Sequence, residues 1–164
     1  MKKNKPSVSA GNVGKHGEYK LISYLLKQVS AVFSLQIERA LAKYKLTGPQ
    51  FAILGLIRSH RGISSADLAR RSLKTRQTIS VIVANLEKME LISRHSHAIH
   101  KKIQQLEITD KGLVLHNQCR EAVWETEKEL LMDNSYENEG MIRNWLLQVV
   151  SHHGSMEELQ EIDG

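Results

Sequence analysis

"SSADLARRSLKTRQTISVIVANLEKM", Ser64 to Met89, decides the fold of this chain. Ser64 and Asp67 stand in the S-x-x-D arrangement that caps a helix start. Ala69 is small where a second helix must cross closely. After Leu73-Lys74, Thr75 is placed to cap a further helix, in which Ile79, Ile82, Val83, Leu86 and Met89 recur at helical spacing and turn inward. That leaves Arg76, Gln77, Ser80, Val81 and Ala84 on the outer face. Arginine can bond guanine through two hydrogen bonds, and glutamine can do the same with adenine. Arg76 and Gln77, at the N-terminal end, are therefore candidate base readers. Thr75, Thr78 and Ser80, with Ser64 and Ser65 on the preceding helix, are candidate phosphate contacts, helped by the positive end of a helix. Alone, the stretch also fits a plain helical hairpin whose polar side faces solvent.

The flanks narrow the choice. "KLTGPQFAILGLIRSHRG" predicts a turn, a short helix from about Pro49 to His60, and a stop at Gly62; proline suits the first helical turn. Downstream, "LISRHSHAIHKKIQQLEIT" has strand-like ends, Leu91-Ile92 on one side and Leu106 and Ile108 alternating on the other, with a polar middle. That is a β-hairpin, and helix, turn, helix, hairpin is the order of a winged helix-turn-helix. The hairpin carries Arg94, His100, Lys101 and Lys102, candidate contacts to a nucleic-acid backbone. His95, His97 and His100 also form an H-x-H-x-x-H run. Imidazole ligates zinc, but a hairpin tip with no cysteine or nearby acid makes a poor closed site. Partly protonated histidines beside phosphates suit the run better.

Outside this unit the chain predicts long helices. From about Glu18 to Tyr44, Leu21, Leu25, Val29, Val32, Leu35 and Leu41 mark one apolar stripe, and Ile22, Leu26, Phe33, Ile37 and Ala40 a second. A helix apolar on two faces is buried on two sides, and in a chain of 164 residues a partner subunit can supply one of them. A helix opens at Thr109-Asp110-Lys111 and runs to about Leu131. "MDNSYENEG" interrupts it, and a last helix spans about Glu139 to His152. The expected organisation is a disordered basic arm (1–17), a dimerisation helix (18–46), a DNA-binding lobe (47–110), C-terminal dimerisation helices (111–153) and an acidic tail (154–164). The class is mainly α with a small β-hairpin wing.

Charge follows the same division. Net charge is +5, yet residues 1–57 carry +7, residues 58–111 carry +6, and residues 112–164 carry −8. A basic middle and an acidic end suit a molecule with one face turned to a polyanion. The single cysteine, Cys119, excludes an intramolecular disulfide and fits a reducing cytosol. The first residues lack the apolar core of a signal peptide, and no segment approaches the roughly 18 apolar residues of a membrane span. The expected location is cytoplasmic, away from membranes. No nucleophile elbow, phosphate loop or paired-acid motif points to an enzyme. "HNQC", His116 to Cys119, offers a metal half-site or a redox thiol as alternatives to a buried structural pair.

"LTGPQFAILGLI", "LARRS", "TRQTISVIVANLEKMELI" and "LEITDKG" together resemble the MarR (multiple antibiotic resistance regulator) family of bacterial transcription factors. The likeness covers roughly Tyr19 to Leu131. Its most specific parts are the LT-x-x-Q opening and the L-x-x-x-x-L-I and L-x-x-T-x-x-G frame around the hairpin. The resemblance implies a homodimer held by the N- and C-terminal helices, reading two half-sites of a pseudo-palindromic duplex. It further implies a repressor released by a small aromatic acid or phenol bound between the dimerisation helices and the DNA-binding lobe; no metal or other cofactor is expected from the residues. Ser23, Tyr24 and Ser30, with His16 upstream, are the candidate effector contacts. Two features depart from the family pattern: His100-Lys101-Lys102 stands where the wing usually carries Asp-x-Arg, and Val81 stands where relatives often carry a polar or basic residue. The alternatives are a metal- or redox-responsive regulator of the same fold, and a winged-helix dimer that binds protein rather than DNA.

Overall fold

The computed structural model of the protein describes residues 21–96, 104–131 and 136–153. Helix α1 spans Ile22–Leu41 and ends in a 3-10 turn, Ala42–Tyr44. Then come α2 (Gly48–Ser59), α3 (Ser65–Ser72), α4 (Arg76–Lys88), strands β1 (Ile92–Ser96) and β2 (Gln104–Ile108), α5 (Asp110–Leu131) and α6 (Tyr136–His153). The two helices of the opening stretch are α3 and α4, and the strands pair antiparallel, Ile92 against Ile108 and Ser96 against Gln104. This is the expected winged helix-turn-helix. The last helix starts three residues before the expected Glu139.

Local chemistry sets most boundaries. Thr47 and Gln50 close a reciprocal capping box on α2, with Gln50 N–H donating to Thr47 Oγ1 at 3.3 Å and Thr47 N–H to Gln50 Oε1 at 2.9 Å. Ser64 Oγ accepts from the Asp67 amide at 3.2 Å, and Thr75 Oγ1 from the Thr78 amide at 3.1 Å. Both α3 and α4 end with a residue in the left-handed region, Leu73 (φ 51°) and Glu90 (φ 60°). In each case the next amide reaches back to the last turn: Lys74 N–H to the Ala69 carbonyl at 3.1 Å, Leu91 N–H to the Leu86 carbonyl at 3.0 Å. These are Schellman ends, which turn the chain sharply enough to lay α4 across α3 and to launch β1 from α4.

The core lies inside the lobe. Ile53, Leu54 and Ile57 of α2, Leu68 and Ala69 of α3, Ile79, Val83 and Leu86 of α4, and Leu91, Ile92 and Leu106 of the hairpin are buried together. Met89, expected with them, packs only at the margin. The wing joins this core at its base alone: β1 is buried at Ile92 and exposed from Arg94 onward. Strand β2 is held further by the Leu106 amide, which donates to the Ile63 carbonyl at 3.0 Å. Helix α5 returns beneath the lobe, where Thr109 Oγ1 accepts the Gly112 amide at 3.0 Å. Gly112 is obligatory there, because any Cβ would run into the Leu91 carbonyl.

The outer helices present a different surface. Leu21 before α1, and Ile22, Leu25, Leu26, Val29, Val32 and Leu35 on it, are exposed, as are Met141, Ile142, Trp145, Leu146, Val149 and Val150 on α6. Among the described residues, α6 contributes none to the buried core. None of the described helices is long and apolar enough to cross a membrane.

Candidate nucleic-acid interface and a neighbouring cleft

Burial of Ile79, Ile82, Val83 and Leu86 fixes which face of α4 points outward. Arg76, Gln77, Thr78, Ser80, Val81 and Ala84 are all exposed on it, and no carboxylate stands among them. Arg76 and Gln77 occupy the first turn, beside unpaired backbone amides, where a phosphate is attracted and a base edge is within reach of a long side chain. Val81 is 58% exposed, an apolar spot suited to a thymine methyl group.

The hydroxyls divide by prior engagement. Ser80 is exposed on the outer face. Thr75 and Thr78 are exposed but hydrogen-bonded to one another at 2.9 Å, so the pair shapes the helix start. Ser64 is half-buried and donates to Asp67 Oδ2 at 2.6 Å besides accepting its amide. That hydroxyl and the Arg70 guanidinium hold the Asp67 carboxyl below its ordinary range. Ser65 is half-buried at the first position of α3. The structure thus gathers Arg76, Gln77, Thr78 and Ser80 on one surface and leaves Ser64 as a cap behind it.

On the wing, Arg94 does not stand free. Its Nε donates to Glu87 Oε1 at 2.9 Å and its Nη2 to Glu87 Oε2 at 2.6 Å, a two-toothed pair between β1 and the last turn of α4. The hydrogen bonds from Arg94 pull the Glu87 carboxyl down, and Glu87 raises the Arg94 guanidinium in turn. Glu87 was not among the residues that sequence pattern singled out; two charges seven apart across a helix end carry no periodic signal. His95 Nε2 lies 2.9 Å from Ser93 Oγ. His97, His100, Lys101 and Lys102 lie outside the described residues, so the H-x-H-x-x-H run is seen only at its first member.

A second feature lies between α2 and α5. A cleft of about 500 Å³ is lined by Gly55, Arg58 and His60 from α2 and its end, and by His116 and Arg120 from α5. No carboxylate lines it. His116 is buried, its ring stacked on Phe51 at 5.0 Å between centroids. Arg58 Nη1 lies 2.9 Å from His116 Nδ1 and donates to Asn117 Oδ1 at 2.7 Å. A guanidinium only donates, so Nδ1 accepts and the imidazole proton sits on Nε2. Burial, then the charges of Arg58 and Arg120, push the His116 pKa below its ordinary value. The result is a neutral, rigid ring beside cations, an arrangement that welcomes a small organic anion with an apolar body.

Ser23, Tyr24 and Ser30 are exposed on the N-terminal half of α1, with Tyr24 Oη accepting from Gln28 at 2.9 Å, and none lines this cleft. His16 lies outside the described residues. Arg58, His60 and Arg120 escaped pattern reading because the cleft joins segments some sixty residues apart. Cys119 is fully buried and burial raises its thiol pKa, which disfavours the reactive thiolate. Among the described residues no three histidine, cysteine or acidic side chains gather as a metal site.

Comparison with known proteins agrees with this arrangement. Residues 44–103 match the sequence model of the MarR family. The transcriptional repressor Rv2887 of Mycobacterium tuberculosis is 28% identical over 102 residues, covering 62% of this chain and 73% of that protein. The Staphylococcus aureus MepR–DNA complex superposes with a TM-score of 0.72 at 25% identity, covering 80% of this chain and 98% of MepR. Rv2887 in complex with salicylic acid gives 0.66 at 23% identity, over 80% of this chain and 98% of that one. With its capped helix pair, its hairpin wing and its flanking long helices, the chain is similar to the winged-helix transcription regulators of the MarR family.

Proposed function

We propose that the protein is a homodimeric repressor that reads a pseudo-palindromic DNA operator through α4 and releases it when a small aromatic acid or phenol enters the cleft between α2 and α5. The observation that carries this reading is the outer face of α4: Arg76, Gln77 and Ser80 exposed over a buried apolar face, with no carboxylate to repel a phosphate. The apolar surfaces of α1 and α6 support a dimer, since exposed apolar area on this scale marks an interface. Two copies would place their α4 helices on half-sites about one helical turn, roughly 10 bp, apart. The cation-lined cleft supports an anionic effector, and Rv2887, a relative, is known in complex with salicylic acid.

The test begins by selecting duplexes from a randomised pool with the purified chain. A two-fold symmetric consensus is expected, and salicylate should weaken the selected complex in the wild type but not in Arg58→Ala. Retention of every duplex alike, with a steep salt dependence, would reduce the activity to generic polyanion attraction.

A further inference from the structure

We propose that Glu87 is a positioning residue: paired with Arg94, it sets the angle at which the wing leaves the DNA-reading helix, so that Arg94 serves as a brace and not as a phosphate ligand. The inference rests on the reading of α4 as the DNA-reading helix and adds to it the element that orients the wing.

Three observations carry it. First, strand β1 has no apolar anchor beyond Ile92; Arg94, His95 and Ser96 are exposed, so packing does not fix its course past its first residue. Second, the other strand is anchored independently, through the Leu106–Ile63 backbone bond and the burial of Leu106. Third, the Glu87–Arg94 contact is two-toothed, at 2.9 and 2.6 Å, and its planar geometry defines direction as well as distance. Both side chains are about one-third exposed, shielded more than an ordinary surface pair. A phosphate approaching Arg94 meets Glu87 as well, and would have to displace it. The pair spans α4 and the wing, the two elements that would touch DNA, so its loss disturbs both at once.

Four variants of the full chain decide the matter: Glu87→Ala, Arg94→Ala, the double alanine, and the charge-swapped Glu87→Arg/Arg94→Glu. Each is measured for affinity and salt slope on a duplex selected from a randomised pool by the wild type, and for backbone amide exchange over residues 92–96 without DNA. Either single alanine should weaken binding by about 5-fold, with the double variant no worse than the singles. The salt slope should stay unchanged, exchange across β1 should accelerate in all three, and the swap should recover both properties. A phosphate-binding Arg94 predicts otherwise: Arg94→Ala alone weakens binding and lowers the slope by about 0.9, Glu87→Ala strengthens it, and the swap is worst of all. Unchanged exchange in the alanine variants would equally overturn the brace. If the wild type selects no duplex, the DNA reading fails, while exchange and its recovery in the swap still decide whether the pair holds the wing.

Discussion

His116 shows how one side chain ties α5 to α2. Its ring stacks on Phe51 of α2, its Nδ1 faces Arg58, and its Nε2 lies so near Gly55 that a Cβ there would come within 3.1 Å. Its pKa is depressed in the folded protein, so the unfolded chain binds the proton more readily. The contribution of the neutral ring is therefore complete above about pH 6.5 and is lost as pH falls below that value toward the folded pKa. Wild-type melting temperature should fall more steeply between pH 7 and 5 than that of His116→Gln, and parallel curves would show that the imidazole is not the titrating group. The sequence drew attention to "HNQC" but not to its role. His116 and Arg58 lie 58 positions apart, and only the packing of α5 on α2 makes them neighbours.

At the scale of elements, what was legible was local. The capping pair Ser64–Asp67 and the cap at Thr75 lie within three residues of the backbone they bind, so spacing alone exposes them, whereas the Thr47–Gln50 box, quoted only as part of a family signature, was recognised as a cap in the structure. The family's frame around the hairpin likewise has a physical basis. Thr109 donates to the Glu90 carbonyl at 2.8 Å and caps α5, while Gly112 lets α5 approach the chain at Leu91. Gly112→Ala should destabilise the fold by about 3 kcal/mol, measured by urea denaturation; a loss under 0.5 kcal/mol would mean that α5 shifts freely. Glu90 is the converse case. It occupies a left-handed position that glycine adopts without strain, and its pairing with Lys111 is solvent-exposed. Glu90→Gly should raise the melting temperature by a few degrees, and a lower one would give the ion pair the larger weight. Positive φ at a glutamate has no signature in composition or period, which is why the end of α4 was legible but its strain was not.

For the whole molecule, the apolar stripes on α1 belong to two environments. Leu41 and Ile37 join the lobe's core, whereas the half from Leu21 to Leu35 stays exposed on the single chain. Two apolar faces on one helix were visible in the sequence; that the boundary falls between the two halves of the helix and not between those faces was not, because that depends on where α5 lies. If these surfaces form the dimer, Leu25→Glu with Trp145→Glu should sediment as a folded monomer with native circular dichroism. A double variant that remains dimeric would place the interface elsewhere. Monomerisation should also weaken operator binding far more than either lobe's own contacts, because a dimer engages its second half-site at high effective concentration.

Whether α4 reads bases is decided by the sequence preference of the wild type beside Arg76→Ala and Gln77→Ala, each profiled on the same randomised duplex pool. Each alanine should erase the preference at one symmetric pair of positions, a guanine for Arg76 and an adenine for Gln77. Each loss should amount to about 1–3 kcal/mol against the wrong base, with the rest of the consensus intact. Identical consensus sequences for all three proteins would contradict it.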